Sequence, residues 1–266
     1  MKLYGLIGYP LSHSFSKKYF SDMFEREHIE GHKYELFPLE HIKDLPALLQ
    51  ANPNLCGLNV TVPHKKNVMH YLDWISHDAR EVGAVNCIHI HAESPVMAAF
   101  TGEVGIEGHN FRLEGYNTDI YGFETSLKPL LNHHHKKALV LGDGGAACAV
   151  KYVLGEYGIE YRVVTRRSSE TSILFSDLTA GIVEDHKLIV NTTPLGTYPN
   201  VDECPPIPYE GITDDHLLYD LIYNPDQTLF LRKGSERGAA IKNGYQMLEL
   251  QADRSWEIWN SKTKHP

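Results

Sequence analysis

Short apolar, β-branched runs alternate with helical patterns along almost the whole chain, and that alternation confines it to an α/β architecture with largely parallel sheets. In the first part, strands are expected near 3–8, 33–38, 55–62 and 84–91. Helices are expected near 17–26, 42–50, 65–69 and 76–82. The stretch 92–110, rich in Gly, Ala and Glu, interrupts this order and reads with 111–117 as a long hairpin or an embellished loop. A second run of alternation predicts a helix over 122–131, a strand over 138–141, a helix over 146–157 and a strand over 161–165. Strands at 188–192 and 217–222, a helix at 228–237, a strand at 239–242 and a helix at 245–260 complete it. The order predicts two α/β domains with a cleft between them. One spans 1–118 and is completed by 245–266; the other spans 119–244.

The second domain opens on Leu139-Val-Leu-Gly142-Asp-Gly144-Gly145-Ala-Ala147, a hydrophobic strand, a glycine turn and a helix start. This is the logic of a Rossmann-type dinucleotide site. Gly142 permits the tight turn, and Gly144, Gly145 and Ala146 bring backbone amides to a pyrophosphate. Ala147 is small enough for helix–strand packing. At the end of the next strand an NAD site usually places an acid for the ribose hydroxyl. Here Thr165-Arg166-Arg167-Ser168 stands instead, and two arginines with two hydroxyls suit a 2′-phosphate, so the expected cofactor is NADP. Asp143 must turn its carboxylate away for a pyrophosphate to bind.

Polar residues recur where other strands end. Gly57-Leu-Asn-Val-Thr-Val-Pro-His-Lys65 presents Asn59, Thr61 and Lys65 at one strand end. A lone lysine there is ordinarily a solvated surface residue. Ser14 and Ser16 follow the first strand just ahead of a helix, where hydroxyls and free amides cradle a carboxylate, although Ser16 reads equally as an N-cap. Asn86 places an amide in an apolar strand, and a buried amide needs partners. Asp119 precedes a helix and could be its N-cap. Gly244, Met247 and Gln251 are spaced to share one face of the last helix.

Bulk properties exclude several classes. The net charge of −9 argues against nucleic acid or an acidic membrane surface as partner. No run approaches the roughly 20 apolar residues of a membrane span, and the N-terminus does not read as a signal peptide. Cys56, Cys87, Cys148 and Cys204 lie far apart, which fits a reducing cytoplasm, with the first three as small core residues. His133-His134-His135 reads as a solvated link, so no metal is expected.

Eight motifs in order, G-Y-P-L-S-H-S-F-S, G-L-N-V-T-V-P-H-K, G-A-V-N, G-Y-N-T-D, G-D-G-G-A-A, N-T-T-P-L-G, D-L-I-Y-N-P and N-G-Y-Q-M-L-E-L-Q-A, resemble the shikimate dehydrogenase family from Tyr4 to Ala252. The resemblance implies NADP-linked reduction of 3-dehydroshikimate to shikimate in aromatic amino-acid (chorismate) biosynthesis. It implies Lys65 and Asp119 as the catalytic pair, and Ser14 and Ser16 on the substrate carboxylate with Tyr223 nearby. Thr61, Asn86 and Gln251 would reach the ring hydroxyls, Gly244 and Met247 the nicotinamide, and Thr165 and Arg166 the adenosine phosphate. A quinate-active or NAD-using relative and a non-catalytic homologue are the alternatives, and a monomer or homodimer is expected. The chain departs from the family pattern at Lys17, His64, Asp143 and Thr165.

Overall fold

A computed structural model describes residues 1–11, 14–92, 111–167 and 172–262. Ser12, His13, Ser168 and all of the 92–110 stretch beyond Ala92 lie outside the described residues. The chain divides into two compact units, Met1–Thr118 with Gln251–Pro266, and Asp119–Leu250.

The first unit is built on six strands: β1 (Lys2–Gly8), β2 (His32–Pro38), β3 (Leu55–Val60), β4 (Trp74–Ile75), β5 (Cys87–Ala92) and β6 (Phe111–Tyr116). Their order in the sheet is β2-β1-β3-β5-β6-β4. Pairing is parallel across β2, β1 and β3, as expected, but β5 runs against both β3 and β6. The sheet is therefore mixed rather than largely parallel. Antiparallel pairing sets Cys87, the first residue of β5, opposite both Asn59 and Tyr116. The carboxyl ends of β3 and β6 and the start of β5 consequently meet at one edge of the sheet.

Each face of this sheet buries an apolar layer. Ile7, Leu45, Leu49, Leu58, Val60, Ile88 and Leu113 belong to one cluster, which includes side chains of α2 (Leu45–Ala51) and α3 (His77–Val82). Tyr4, Phe20, Phe24, Tyr34, Cys87 and Trp259 belong to the other, with α1 (Phe15–Arg26) and the end of the last helix over it. Gly57 in β3 has a packing reason. A Cβ there would stand 2.3 Å from Trp259 Nε1, and that indole donates to the Ile88 carbonyl at 2.9 Å.

The second unit holds β7 (Lys137–Leu141), β8 (Glu160–Thr165), β9 (Ser172–Leu174), β10 (Leu188–Asn191), β11 (Leu217–Asp220) and β12 (Ala240–Lys242). All pairs are parallel, in the order β12-β11-β10-β7-β8-β9. Counted from β7, that is the doubly wound order whose direction reverses between β7 and β10, where α/β sheets bind ligands at the strands' carboxyl ends. Leu139, Leu141, Val164, Ile189, Leu218 and Phe230 form its buried core. The helices here are α4 (Thr118–Leu127), α5 (Gly145–Glu156), α6 (Ala180–Asp185) and α7 (Leu229–Ser235), followed by α8 (Tyr245–Asn260).

Several expectations shift. The helix expected from residue 122 starts at Thr118, because the Asn86 side chain caps the Thr118 amide and supplies a start signal from outside the helix. The division of α8 falls between Leu250 and Gln251 rather than ahead of the helix. A 3₁₀ turn at Asn67–Tyr71 replaces the helix expected over 65–69. All four cysteines are free thiols, but only Cys87 is buried, while Cys56, Cys148 and Cys204 are partly exposed. His135 is also buried, not solvated, because its Nδ1 accepts the Asn132 amide at 3.1 Å and closes the turn before β7. Among the described residues no helix is long and apolar enough to cross a membrane.

Candidate active site

In the first unit, hydrogen bonds lock the sheet edge where β3 and β6 end. Asn86 is buried just ahead of β5, and its Oδ1 accepts the Thr118 amide at 2.7 Å and lies 3.2 Å from the Thr118 hydroxyl. Its backbone donates to the Tyr116 carbonyl and accepts the Val60 amide. One residue earlier, the Val85 amide donates to the Lys65 carbonyl at 2.8 Å. The Lys65 backbone and the chain entering Asp119 are thus held by adjacent residues, 85 and 86. Gln251 and Ser255 reach the same edge from α8, with Gln251 Oε1 3.4 Å and Ser255 Oγ 3.3 Å from the Thr118 hydroxyl.

Asn59 is committed to this framework. Tyr34 donates to its Oδ1 at 2.8 Å, and its Nδ2 donates to Ser255 Oγ at 2.9 Å. A fully used, buried amide is a strut rather than a ligand contact. Thr61 sits past β3, its amide donating to the Ile7 carbonyl at 2.9 Å. Gly8 is required beside it, since a Cβ would lie 2.3 Å from Thr61 Cγ2.

Ser14 occupies the N-cap position of α1 in extended conformation, yet its side chain makes no capping bond. Its Oγ is buried with no hydrogen-bond partner among the described residues. Such a group costs about 1–3 kcal/mol unless something binds it, so it marks a place for a ligand acceptor. Ser16, the second residue of the helix, is buried in its first turn and is not the N-cap.

The second unit carries the glycine turn at the end of β7. Gly142 has φ +104°, and a Cβ there would meet Thr192 Oγ1 at 2.8 Å, so both conformation and packing demand glycine. Gly144 is the N-cap of α5, and a Cβ on it would meet nothing within 4 Å. The helix start is open where a phosphate would approach, with Gly145 and Ala146 forming its first turn. Ala147 is fully buried. Asp143 turns its carboxylate onto Lys151, two turns along α5, at 2.5 Å.

Beyond β8, Arg166 and Arg167 are exposed, and the Thr165 hydroxyl donates to the Arg167 carbonyl at 2.5 Å, shaping the bend that presents them. These features fit a phosphorylated dinucleotide. Asp119 is the second residue of α4 and buried, so it sits in the first turn rather than acting as N-cap. Gly244 is also structural, because a Cβ would stand 2.1 Å from the Leu221 carbonyl oxygen. Met247 is buried, and Tyr223 is 38% exposed with its phenol pushed up by partial burial.

A family model described as the shikimate dehydrogenase substrate binding domain matches residues 6–88. The shikimate dehydrogenase (NADP(+)) of Clostridium beijerinckii is 37% identical over 273 residues, covering 97% of this chain and 92% of its own. A second protein of that name, from Caldanaerobacter subterraneus subsp. tengcongensis, is 35% identical and covers 97% and 91%. The crystal structure of Thermus thermophilus shikimate 5-dehydrogenase in complex with NADP(H) and shikimate superposes with a TM-score of 0.79 at 29% identity, covering 98% and 94%. The chain belongs to the shikimate dehydrogenase family.

Each of the four departures from the family pattern has a local partner. Lys17 pairs with Glu35 at 2.6 Å. His64 is buried, with Nε2 2.5 Å from the Leu39 carbonyl oxygen. Asp143 pairs with Lys151, and Thr165 bonds within its own bend. One organising residue escaped the sequence reading. Asp220, fully buried at the end of β11, accepts from Asn191 Nδ2, the Ile222 amide and the Thr228 hydroxyl at 3.0, 3.0 and 2.6 Å. It ties N-T-T-P-L-G to D-L-I-Y-N-P; an acid closing an apolar strand was the available signal.

Proposed function

We propose that the chain catalyses the reversible, NADP-dependent reduction of 3-dehydroshikimate to shikimate, in the cytoplasm, as a step of aromatic amino-acid biosynthesis. The observation that carries the substrate assignment is the buried, unpartnered Ser14 hydroxyl at the head of α1. With Ser16 and Tyr223 it would take the substrate carboxylate. Asn86 spends its Oδ1 on Thr118, so its Nδ2 is the donor it can offer to a ring hydroxyl, beside Thr61 and Gln251. A site built from such directional contacts strongly rejects analogues lacking a hydroxyl.

The first turn of α5, Arg166 and Arg167 would hold the dinucleotide, with Gly142 and Thr165 shaping the loops and Gly244 and Met247 against the nicotinamide. Bound in its reduced form, NADPH would supply the hydride for the carbonyl carbon and be oxidised to NADP. Lys65, as ammonium, hydrogen-bonds the carbonyl oxygen, stabilises its developing negative charge and delivers the proton; in the oxidative direction it takes that proton back. Asp119 holds the ammonium in place and accepts from a ring hydroxyl. Lys65 rests on the Val85 amide and Asp119 directly follows Thr118, which Asn86 holds; both anchors belong to the G-A-V-N motif.

Steady-state assays with shikimate and quinate, each with NADP and NAD, test this reading. Turnover should be highest with shikimate and NADP. Preference for quinate or NAD would replace the assignment with the alternative chemistry, and no turnover with any pair would overturn it.

A further inference from the structure

A second cluster of polar side chains lies farther along the first sheet, and the proposed reaction uses none of it. His89 pairs with Glu114 and His91 with Arg112 across β5 and β6, so all four share one face of the sheet. Glu114 is fully buried, His89 is 6% exposed, and the His91 side chain is 9% exposed. His91 Nε2 lies 3.1 Å from Glu114 Oε2. Even so, it makes no hydrogen bond there, and His89 Nδ1 is likewise buried with no hydrogen-bond partner among the described residues. One ligand atom from each of His89, His91 and Glu114 lies within 4.8 Å of the others.

Two polar atoms that stand close together but off a hydrogen-bond line have the relation of two ligands to one ion. With metal–nitrogen and metal–oxygen bonds of about 2.0–2.1 Å, tetrahedral ligands stand roughly 3.3 Å apart. The other carboxylate oxygen, Oε1, faces Arg112 Nε at 3.3 Å, and the Tyr116 hydroxyl donates to Oε2 at 3.0 Å. Such outer contacts orient a ligating carboxylate.

We propose that His89, His91 and Glu114 form a three-ligand site for a divalent transition ion of the zinc class, completed by water, that clips β5 to β6. Two imidazoles and one carboxylate select such an ion over magnesium or calcium, which prefer all-oxygen shells.

Untagged, chelator-stripped protein should take up one equivalent of Zn²⁺ in competition with a chromophoric chelator, with a dissociation constant of about 1 μM or tighter. Co²⁺ should give the intense visible bands of a low-coordinate nitrogen–oxygen site. The unfolding midpoint should rise with free Zn²⁺. His91→Gln should lose the Co²⁺ bands while keeping its turnover, and a His133→Ala/His134→Ala variant should retain the bands. No stoichiometric uptake by the unmutated protein overturns the proposal; so does uptake that survives His89→Gln with His91→Gln. Because the Co²⁺ spectrum is read on the unmutated chain, the test does not depend on the folding of any variant.

Discussion

Replacing Asp220 by Asn should remove a pH-dependent burden from the second unit. The carboxyl is fully buried, and burial pushes its pKa from 3.8 up to about 6 against the three hydrogen bonds it accepts. Between those two values the folded chain holds a proton that the unfolded chain has already released. Stability associated with this group is therefore complete below the unfolded value and is lost as pH rises through the folded one. The window is about two pH units wide, and at about 1.4 kcal/mol per unit the loss is about 3 kcal/mol.

The buried histidines work in the opposite direction. Burial lowers the pKa of His89, His135, His186 and His216, so their contribution grows as pH rises. The wild-type curve alone mixes both senses, and only its difference from Asp220→Asn isolates the carboxyl. Urea unfolding followed by far-UV circular dichroism, from about pH 4 to about pH 7, measures that difference. The variant should lose a constant term of about 1 kcal/mol for the disturbed Thr228 bond, and gain about 3 kcal/mol relative to wild type across the window. Parallel curves would show that Asp220 ionises at an ordinary pH, and would refute the desolvation argument.

Lys65→Ala should lower kcat by about 10²-fold or more with a modest change in KM, and an unchanged kcat would remove Lys65 from the chemistry. Arg166→Ala should weaken NADP and leave NAD nearly untouched; equal loss in both would move the phosphate contact elsewhere. Lys151→Ala should raise KM for NADP by about 2- to 5-fold by freeing the Asp143 carboxylate beside the pyrophosphate, and adding Asp143→Asn should restore it. Asn86→Leu strands the buried Thr118 amide, so thermal unfolding should show a loss of about 1–3 kcal/mol, and kcat should fall as Asp119 loses its anchor. Retention of both would show that Thr118 is held by other contacts.

The second sheet was the more legible because its strands are buried on both faces, so Leu139-Val-Leu, Leu188-Ile-Val and Leu217-Leu-Tyr read as unbroken apolar runs. The direction of β5 was not legible, since composition does not encode which neighbour a strand runs against. Its alternation was: Ile88 and Ile90 enter one core while His89 and His91 line the other face, a period of two visible in Cys-Ile-His-Ile-His. β4, β9 and α6 are too short to show any period. At the substrate edge, motifs flagged Ser14, Thr61, Lys65, Asn86 and Gln251, but the long-range bonds joining that edge span 20 to 196 residues of sequence. Local pattern carries no information about such pairs.

Those long-range bonds explain why a small strand-end site carries so many amides and hydroxyls that face no ligand. Tyr34 holds Asn59, Asn59 holds Ser255, and Ser255 approaches the Thr118 hydroxyl, which also lies against Asn86 and Gln251. Each member is buried, so loss of one partner leaves another unsatisfied at about 1–3 kcal/mol, and the array has few alternative arrangements. Its outer members, Asn86 and Gln251, are the side chains assigned to the substrate, while its inner members fix them before any ligand arrives. A lysine on the short turn after β3 gains its chemical meaning from this framework, because proton transfer requires the donor held within hydrogen-bond reach of one oxygen. The Val85–Lys65 backbone bond supplies that restraint one residue from Asn86, which is why G-A-V-N and G-L-N-V-T-V-P-H-K, some twenty residues apart in sequence, act as a single structural element.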